Sequence, residues 1–207
     1  MSERAIFLGS FNPPHKGHYE VVKSVINSGL MEKLDINKIH VIPCWQNPNK
    51  KKFTTTFIQR YQMCMFMFED LIDKTLVVID IIEKNVQPKY TYELIDYFNS
   101  GKDTLVNANK EGFYWIITTE TLNELIEGKW KNSKELLNNN FIIVHSKNES
   151  IDKYKSIIAN AHFVTLNNDY TFHSSDLREK AKRGESIAEE TCNRLDYFYR
   201  QENNVYK

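Results

Sequence analysis

Gly9-Ser10-Phe11-Asn12-Pro13-Pro14-His15-Lys16-Gly17-His18 is the stretch from which the fold can be read, because of what flanks it. Before it, Ala5-Ile6-Phe7-Leu8 is an apolar run of strand length; after it, Tyr19, Val21, Val22, Val25 and Ile26 recur at helical spacing. The ten residues are therefore a loop between a buried strand and a helix. Gly9 lets the backbone leave the strand tightly or approach a ligand, and Pro13 and Pro14 stiffen the turn while removing two N–H donors. A helix starting near Lys16 puts His15 and His18 on one side of its first turn, where unpaired N–H groups and the positive dipole end favour an anion. The loop reads as a phosphate site with two imidazoles in it. An ordinary proline turn is the competing reading, and a metal pair is another, since histidines ligate zinc and iron. The metal reading lacks a third ligand: Glu20, the nearest carboxylate, faces away from His18. No resident metal is expected.

Outward from this loop, strands and helices alternate. The helix ends near Asn27-Ser28-Gly29, and Lys38-Ile39-His40-Val41-Ile42-Pro43 is the next strand. Such a β-α-β unit sets parallel strands side by side, with ligands gathering at their carboxyl ends. Cys44 to Lys52 leaves the second strand at the edge where the opening loop lies, so Trp45, Lys50 and Lys51 are expected to border the same cleft. Thr54-Thr55-Thr56 can cap a helix carrying Phe57 to Phe68, whose methionines and aromatics read as core. Leu76 to Ile82 reads as a strand, Glu83 to Lys89 as a loop, and Tyr90-Thr91-Tyr92 as a helix start. The polar, glycine-containing stretch from Asn99 to Gly112 reads as an exposed, mobile loop. Phe113 to Ile117, Phe141 to Val144 and His162 to Leu166 complete six strands. Thr118-Thr119-Glu120 closes the fourth, and Trp130 falls between two helical segments. Ser174 or Ser175 can cap a helix through Leu177, Arg178 and Ala181, and Ile187 to Tyr199 reads as a closing helix. The pattern predicts a doubly wound parallel sheet with carboxy-terminal helices from about residue 172 to 200, in one domain spanning 1–207.

Composition narrows the function classes. At 207 residues one well-cored domain is the default. Lysine plus arginine equals aspartate plus glutamate at 27 each, which leaves no general field for a polyanion and disfavours nucleic acid as a partner. Cys44, Cys64 and Cys192 form neither a disulfide framework nor a zinc knuckle and fit a reducing, cytoplasmic setting. The amino-terminal apolar run is too short for a signal peptide and no run reaches membrane-spanning length.

Taken together, these residues resemble the nucleotidyltransferase superfamily that includes the nicotinate and nicotinamide mononucleotide adenylyltransferases. GSFNPPHKGH is similar to its amino-terminal signature, whose two histidines contact ATP phosphates and fall here on His15 and His18. Phe172-His173-Ser174-Ser175-Asp176-Leu177-Arg178 resembles the carboxy-terminal Ile-Ser-Ser-Thr-x-Ile-Arg motif, whose helix start and arginine hold the triphosphate. Arg60 and Met63 fall on an arginine and a methionine of the family, Tyr90-Thr91 on its Tyr-Thr pair at the nicotinate end, and Trp130 on a tryptophan near the pyridine ring. The resemblance implies adenylyl transfer from ATP, with Mg²⁺, to a pyridine mononucleotide. It implies His15, His18 and Arg178 as catalytic groups. Gly9, Ser10, Phe11, Lys16, Gly17, Thr118, Glu120, Ser174 and Ser175 would bind ATP, while Asn12, Trp45, Lys50, Lys51, Arg60, Tyr90, Thr91 and Trp130 would bind the mononucleotide. Three departures stand out: Thr118-Thr119-Glu120 replaces Gly-x-Asp, His173 replaces a serine, and the loop from Asn99 to Gly112 has no counterpart.

The chemistry fits independently of the resemblance. Adenylyl transfer needs no protein nucleophile, only positioning and neutralisation of developing charge, and no Ser-His-Asp or Cys-His pair is visible. Rival readings are the same transfer to 4′-phosphopantetheine and an ATP-binding sensor without turnover. Nicotinate is placed ahead of nicotinamide because Lys50 to Lys52 and Lys89 favour a carboxylate. A homo-oligomer is left open.

Overall fold

The computed structural model describes residues 3–46, 55–100, 112–168 and 170–201. Six strands form one sheet in the order β3-β2-β1-β4-β5-β6, and every neighbouring pair is parallel. They are β1 (Glu3–Gly9), β2 (Ile36–Pro43), β3 (Val77–Ile79), β4 (Phe113–Thr118), β5 (Asn140–His145) and β6 (Ala161–Thr165). All six lie where the apolar runs place them. The order reverses direction at β1, so the β1 and β4 ends open onto a crevice between two diverging connections.

Alternation along β1 shows how the sheet is covered on both faces. Ala5 and Phe7 pack into a cluster with Val21, Val22 and Val25 of α1 (Lys16–Asn27) and with Cys64, Met67 and Phe68 at the end of α3 (Phe57–Met67). Ile6 points the other way, into Leu94, Ile95 and Phe98 of α6 (Thr91–Asn99) and Leu122 and Leu125 of α7 (Thr119–Ile126). A third cluster, Met63 with Leu177, Ala181, Ile187 and Leu195, fastens α10 (Ser174–Lys182) and α11 (Asn193–Gln201) to α3. Short helical turns fill the remaining connections: α2 (Leu30–Lys33), α4 (Glu69–Asp73), α5 (Ile82–Val86), α8 (Ser133–Leu136) and α9 (Asp152–Lys155).

Three elements differ from the sequence reading. Asp80 ends β3 early: its carboxylate accepts from the Ile82 N–H at 2.8 Å and from the His40 ring at 2.9 Å, which starts α5 where a loop is expected. The residue that caps α10 is His173, not a serine. Asp176 accepts from the His173 N–H at 3.1 Å, leaving Ser174 to begin the helix. The closing helix begins at Asn193 rather than Ile187, because buried Asp196 accepts from the Ile187 N–H at 2.9 Å and the Ser186 hydroxyl at 3.0 Å and holds that segment as a turn. Thr56 caps α3 as expected, with Gln59 reaching back to its N–H at 2.8 Å. The expected loop lies almost wholly outside the described residues, as do Lys50 and Lys51.

Candidate active site

The opening loop is built around two contacts that only glycine permits. Phe11 is buried in a left-handed conformation (φ 46°), and its ring lies so close to Gly9 that a methyl group there would sit 2.8 Å from it. At Gly17 a methyl group would come within 3.0 Å of the His15 ring. Gly9 thus makes room for Phe11, and Gly17 for an imidazole. The two histidine rings lie with centroids 3.8 Å apart, and the Phe11 ring meets His18 edge-on at 5.0 Å. The His15 backbone N–H donates to His18 Nδ1 at 3.2 Å, so in the neutral ring the proton of His18 rests on Nε2, ready to donate. His15 is buried, and its Nδ1 has no partner among the described residues. Burial, and secondarily the nearby His173, hold its pKa down at about 4, so it is neutral at physiological pH.

The start of α10 is clamped onto this loop. The Ser174 hydroxyl donates to the Pro13 carbonyl at 2.9 Å and Arg178 Nη1 to the Asn12 carbonyl at 2.8 Å, contacts that span more than 150 residues of chain. The motif at 172–178 and the motif at 9–18 are therefore parts of one site. The Phe172 ring meets His15 edge-on at 5.3 Å. One amide of the first turn is already spoken for, since the Lys16 N–H donates to the Glu190 carbonyl at 2.8 Å.

On the other side of β1, the backbone of Trp45 is held on both sides of its Cα, through the peptide group before it and the one after it. Its N–H donates to Glu83 Oε2, and its carbonyl accepts from Arg60 Nη2 at 3.4 Å, while Arg60 Nη1 donates to the Ser10 carbonyl at 3.1 Å. Burial raises the Glu83 carboxyl to about 8, against the pull of the Trp45 N–H and of Arg60. Tyr90 precedes α6, and its N–H and that of Lys89 are satisfied by Glu93 at 3.3 and 2.7 Å. Trp130 is oriented by its indole N–H, which donates to Glu124 at 2.7 Å, and by a tilted contact with Trp115 at 6.1 Å.

These groups surround a cleft of about 1070 Å³. Of the residues singled out in the sequence, Gly9, Ser10, His15, Gly17, His18, Tyr90, Thr91, Thr118, Glu120, Trp130, Ser174, Ser175 and Arg178 line it. Five expected residues do not. Phe11 and Asn12 are buried behind the loop, with Asn12 accepting from Thr55 at 2.8 Å; Lys16 lies off the lining on the α1 flank. Arg60 is 1% exposed and bonded to the Ser10 and Trp45 carbonyls, and half-buried Trp45 lies between the lining residues Cys44 and Gln46 without lining the cleft itself. Glu83 is one of the lining residues that sequence reasoning passes over, and Asp80, a helix-capping residue two positions before the Ile82 amide, is the signal that could have revealed its helix. A second hollow, about 330 Å³ between α6 and α8, has no histidine or cation among its lining residues and carries two carboxylates, Asp96 and Glu135. Among the described residues no three His, Cys, Asp or Glu side chains group as metal ligands, and no helix is long and apolar enough to cross a membrane.

Comparison with known proteins gives the same picture. The cytidylyltransferase-like family profile matches residues 6–180. A Fusobacterium nucleatum protein described as "Probable nicotinate-nucleotide adenylyltransferase" is 31% identical over 191 residues, covering 89% of this chain and 90% of its own. One of the same description from Clostridium tetani is 27% identical, covering 90% of each. Among solved structures, the Plasmodium falciparum nicotinic acid mononucleotide adenylyltransferase complexed with NaAD superposes with a TM-score of 0.74 at 19% identity, covering 100% of this chain and 98% of that one. At that identity the likeness speaks for the fold.

Proposed function

Because the chain belongs to the cytidylyltransferase-like family, we propose that it transfers the adenylyl group of ATP to nicotinate mononucleotide, giving deamido-NAD and pyrophosphate. The observation that carries this reading is the pair of helix starts, α1 with its two adjacent histidines and α10 with Ser174, Ser175 and Arg178, clamped together on one wall of the cleft. That wall is the donor end, where the triphosphate lies. Tyr90, Thr91 and Trp130 mark the acceptor end, where the mononucleotide lies.

In the reaction a phosphate oxygen of the mononucleotide forms a bond to the α-phosphorus of ATP, and the bond from that phosphorus to the α,β-bridging oxygen breaks. Pyrophosphate carries away the electron pair. No protein nucleophile takes part, so the chain acts by alignment and by placing donors where negative charge grows. His18 offers its Nε2–H and Arg178 a fixed positive charge, while neutral His15 packs against His18 and holds its ring in place. ATP enters as its Mg²⁺ complex, with the ion carried on the phosphates and treated as part of the substrate.

The test is pyrophosphate release with ATP, Mg²⁺ and three acceptors: nicotinate mononucleotide, nicotinamide mononucleotide and 4′-phosphopantetheine. The expected result is fastest release with nicotinate mononucleotide. Release with 4′-phosphopantetheine alone, or ATP binding with no release from any acceptor, would overturn the reading.

A further inference from the structure

Glu83 is 4% exposed, yet it belongs to the cleft wall. One of its oxygens, Oε2, accepts the Trp45 N–H. It stands in the first turn of α5, whose start is fixed by Asp80 and, through Asp80, by His40 on β2. Arg60 holds the next peptide group through the Trp45 carbonyl, and the Ser10 carbonyl beyond it. The result is a continuous bracket, Glu83 to Trp45 to Arg60 to Ser10, running behind the loops that follow β2 and β1. The residues on either side of Trp45, Cys44 and Gln46, are the ones that face the cleft.

We propose that Glu83 is a positioning residue for the acceptor: it holds the Trp45 peptide so that Cys44 and Gln46 form the wall against which the anionic mononucleotide settles. This rests on the adenylyl-transfer reading above. The role demands a neutral carboxyl group. An ionised one would face an acceptor that already carries a phosphate and a carboxylate, with too little water between to screen the repulsion. Burial supplies that neutrality, raising the group to about 8. The other titratable groups facing this region are Arg60 from α3, the Cys44 thiol after β2, Tyr90 at the start of α6 and the His40–Asp80 pair below α5.

The experiment compares wild type, Glu83→Ala and Glu83→Gln from pH 6.5 to 9.5, measuring KM for each substrate and kcat. At pH 7, Glu83→Ala is expected to raise the mononucleotide KM about tenfold, the size of a lost buried hydrogen bond, with the ATP KM and kcat little changed. Glu83→Gln, which keeps an acceptor for the Trp45 N–H, should restore most of that loss. In wild type the mononucleotide KM should climb above pH 8 by about tenfold per unit, and in Glu83→Gln it should stay level. A climb of unchanged midpoint in Glu83→Gln would overturn the proposal and point to Cys44. An ATP KM raised as much as the mononucleotide KM in Glu83→Ala would reduce Glu83 to a general support. Should wild type release no pyrophosphate, the function reading fails separately. Calorimetric titration of the mononucleotide into wild type and Glu83→Gln at pH 7 and 9 still decides the role of Glu83: weakening at pH 9 in wild type alone supports it, and equal weakening in both refutes it.

Discussion

At the donor end of the cleft, side chains reach back to backbone carbonyls of a stiff loop: Ser174 to Pro13 at 2.9 Å and Arg178 to Asn12 at 2.8 Å. At the acceptor end two buried side chains share the work: Arg60 likewise donates to backbone carbonyls, at Ser10 and Trp45, while Glu83 accepts from the Trp45 N–H. Each end also buries one titratable group and keeps it neutral by denying it water. His15 is pushed down to about 4 and Glu83 up to about 8. The donor end is thereby exposed to failure in acid, the acceptor end in alkali. The cleft works in the window between, where His15 adds no charge near the triphosphate and Glu83 adds none near the acceptor.

The largest effect should come from a donor-end group placed to touch the reacting phosphates. Replacing His18 by alanine is expected to lower kcat about a thousandfold, the scale seen when one preorganised donor to a developing oxyanion is lost. The fold should lose only about 1 kcal/mol, for the missing acceptor of the His15 N–H. Single-turnover rates and urea melts of the same preparation separate the two. A near-normal kcat would remove His18 from the mechanism and leave the pair as packing.

The acid limb of the comparison is a stability statement with a definite sign. A histidine whose folded pKa lies near 4, against 6.5 unfolded, is protonated first in the unfolded chain as pH falls. Its contribution is intact above 6.5 and drains away between 6.5 and 4, reaching about 2 kcal/mol of lost stability at pH 5. Urea unfolding at pH 7 and pH 5 should show this drop in wild type, and a drop smaller by about that amount in His15→Asn. Equal drops in the two proteins would mean that His15 is reached by water after all.

The two ends also differ in how far the sequence discloses them. The donor end lies in two short motifs, residues 9–18 and 172–178, and apolar periodicity alone places the first between a strand and a helix. What stays hidden there is long-range: nothing local says that Glu190 will occupy the Lys16 amide, or that His173 will cap α10 so that Ser174 is released to bind Pro13. The acceptor end is spread over Cys44, Gln46, Glu83, Tyr90, Thr91 and Trp130, with no motif to join them. Glu83 sits in a polar string that reads as surface loop, because burial of a carboxyl group depends on neighbours 23 and 38 positions away, at Arg60 and Trp45. Arg60 is placed in this region by resemblance, but only the fold shows its Nη1 and Nη2 donating to the Ser10 and Trp45 carbonyls. The six strands need less distant information: each contains an apolar run of strand length, and its own letters declare it.

A smaller test sharpens the division between the ends without disturbing the packing. Trp130 presents its ring to the cleft while its indole N–H is tied to Glu124 at 2.7 Å. Trp130→Phe keeps an aromatic face and removes the tie, so the ring loses its orientation but not its place. One half-buried hydrogen bond to a carboxylate corresponds to about fivefold in affinity. The mononucleotide KM should therefore rise by about that factor, with the ATP KM unmoved, because nothing joins Trp130 to the α1 and α10 helix starts except the sheet between them. A matching rise in the ATP KM would show that the α7–α8 connection also reaches the triphosphate, and the two ends would then have to be treated as one coupled wall.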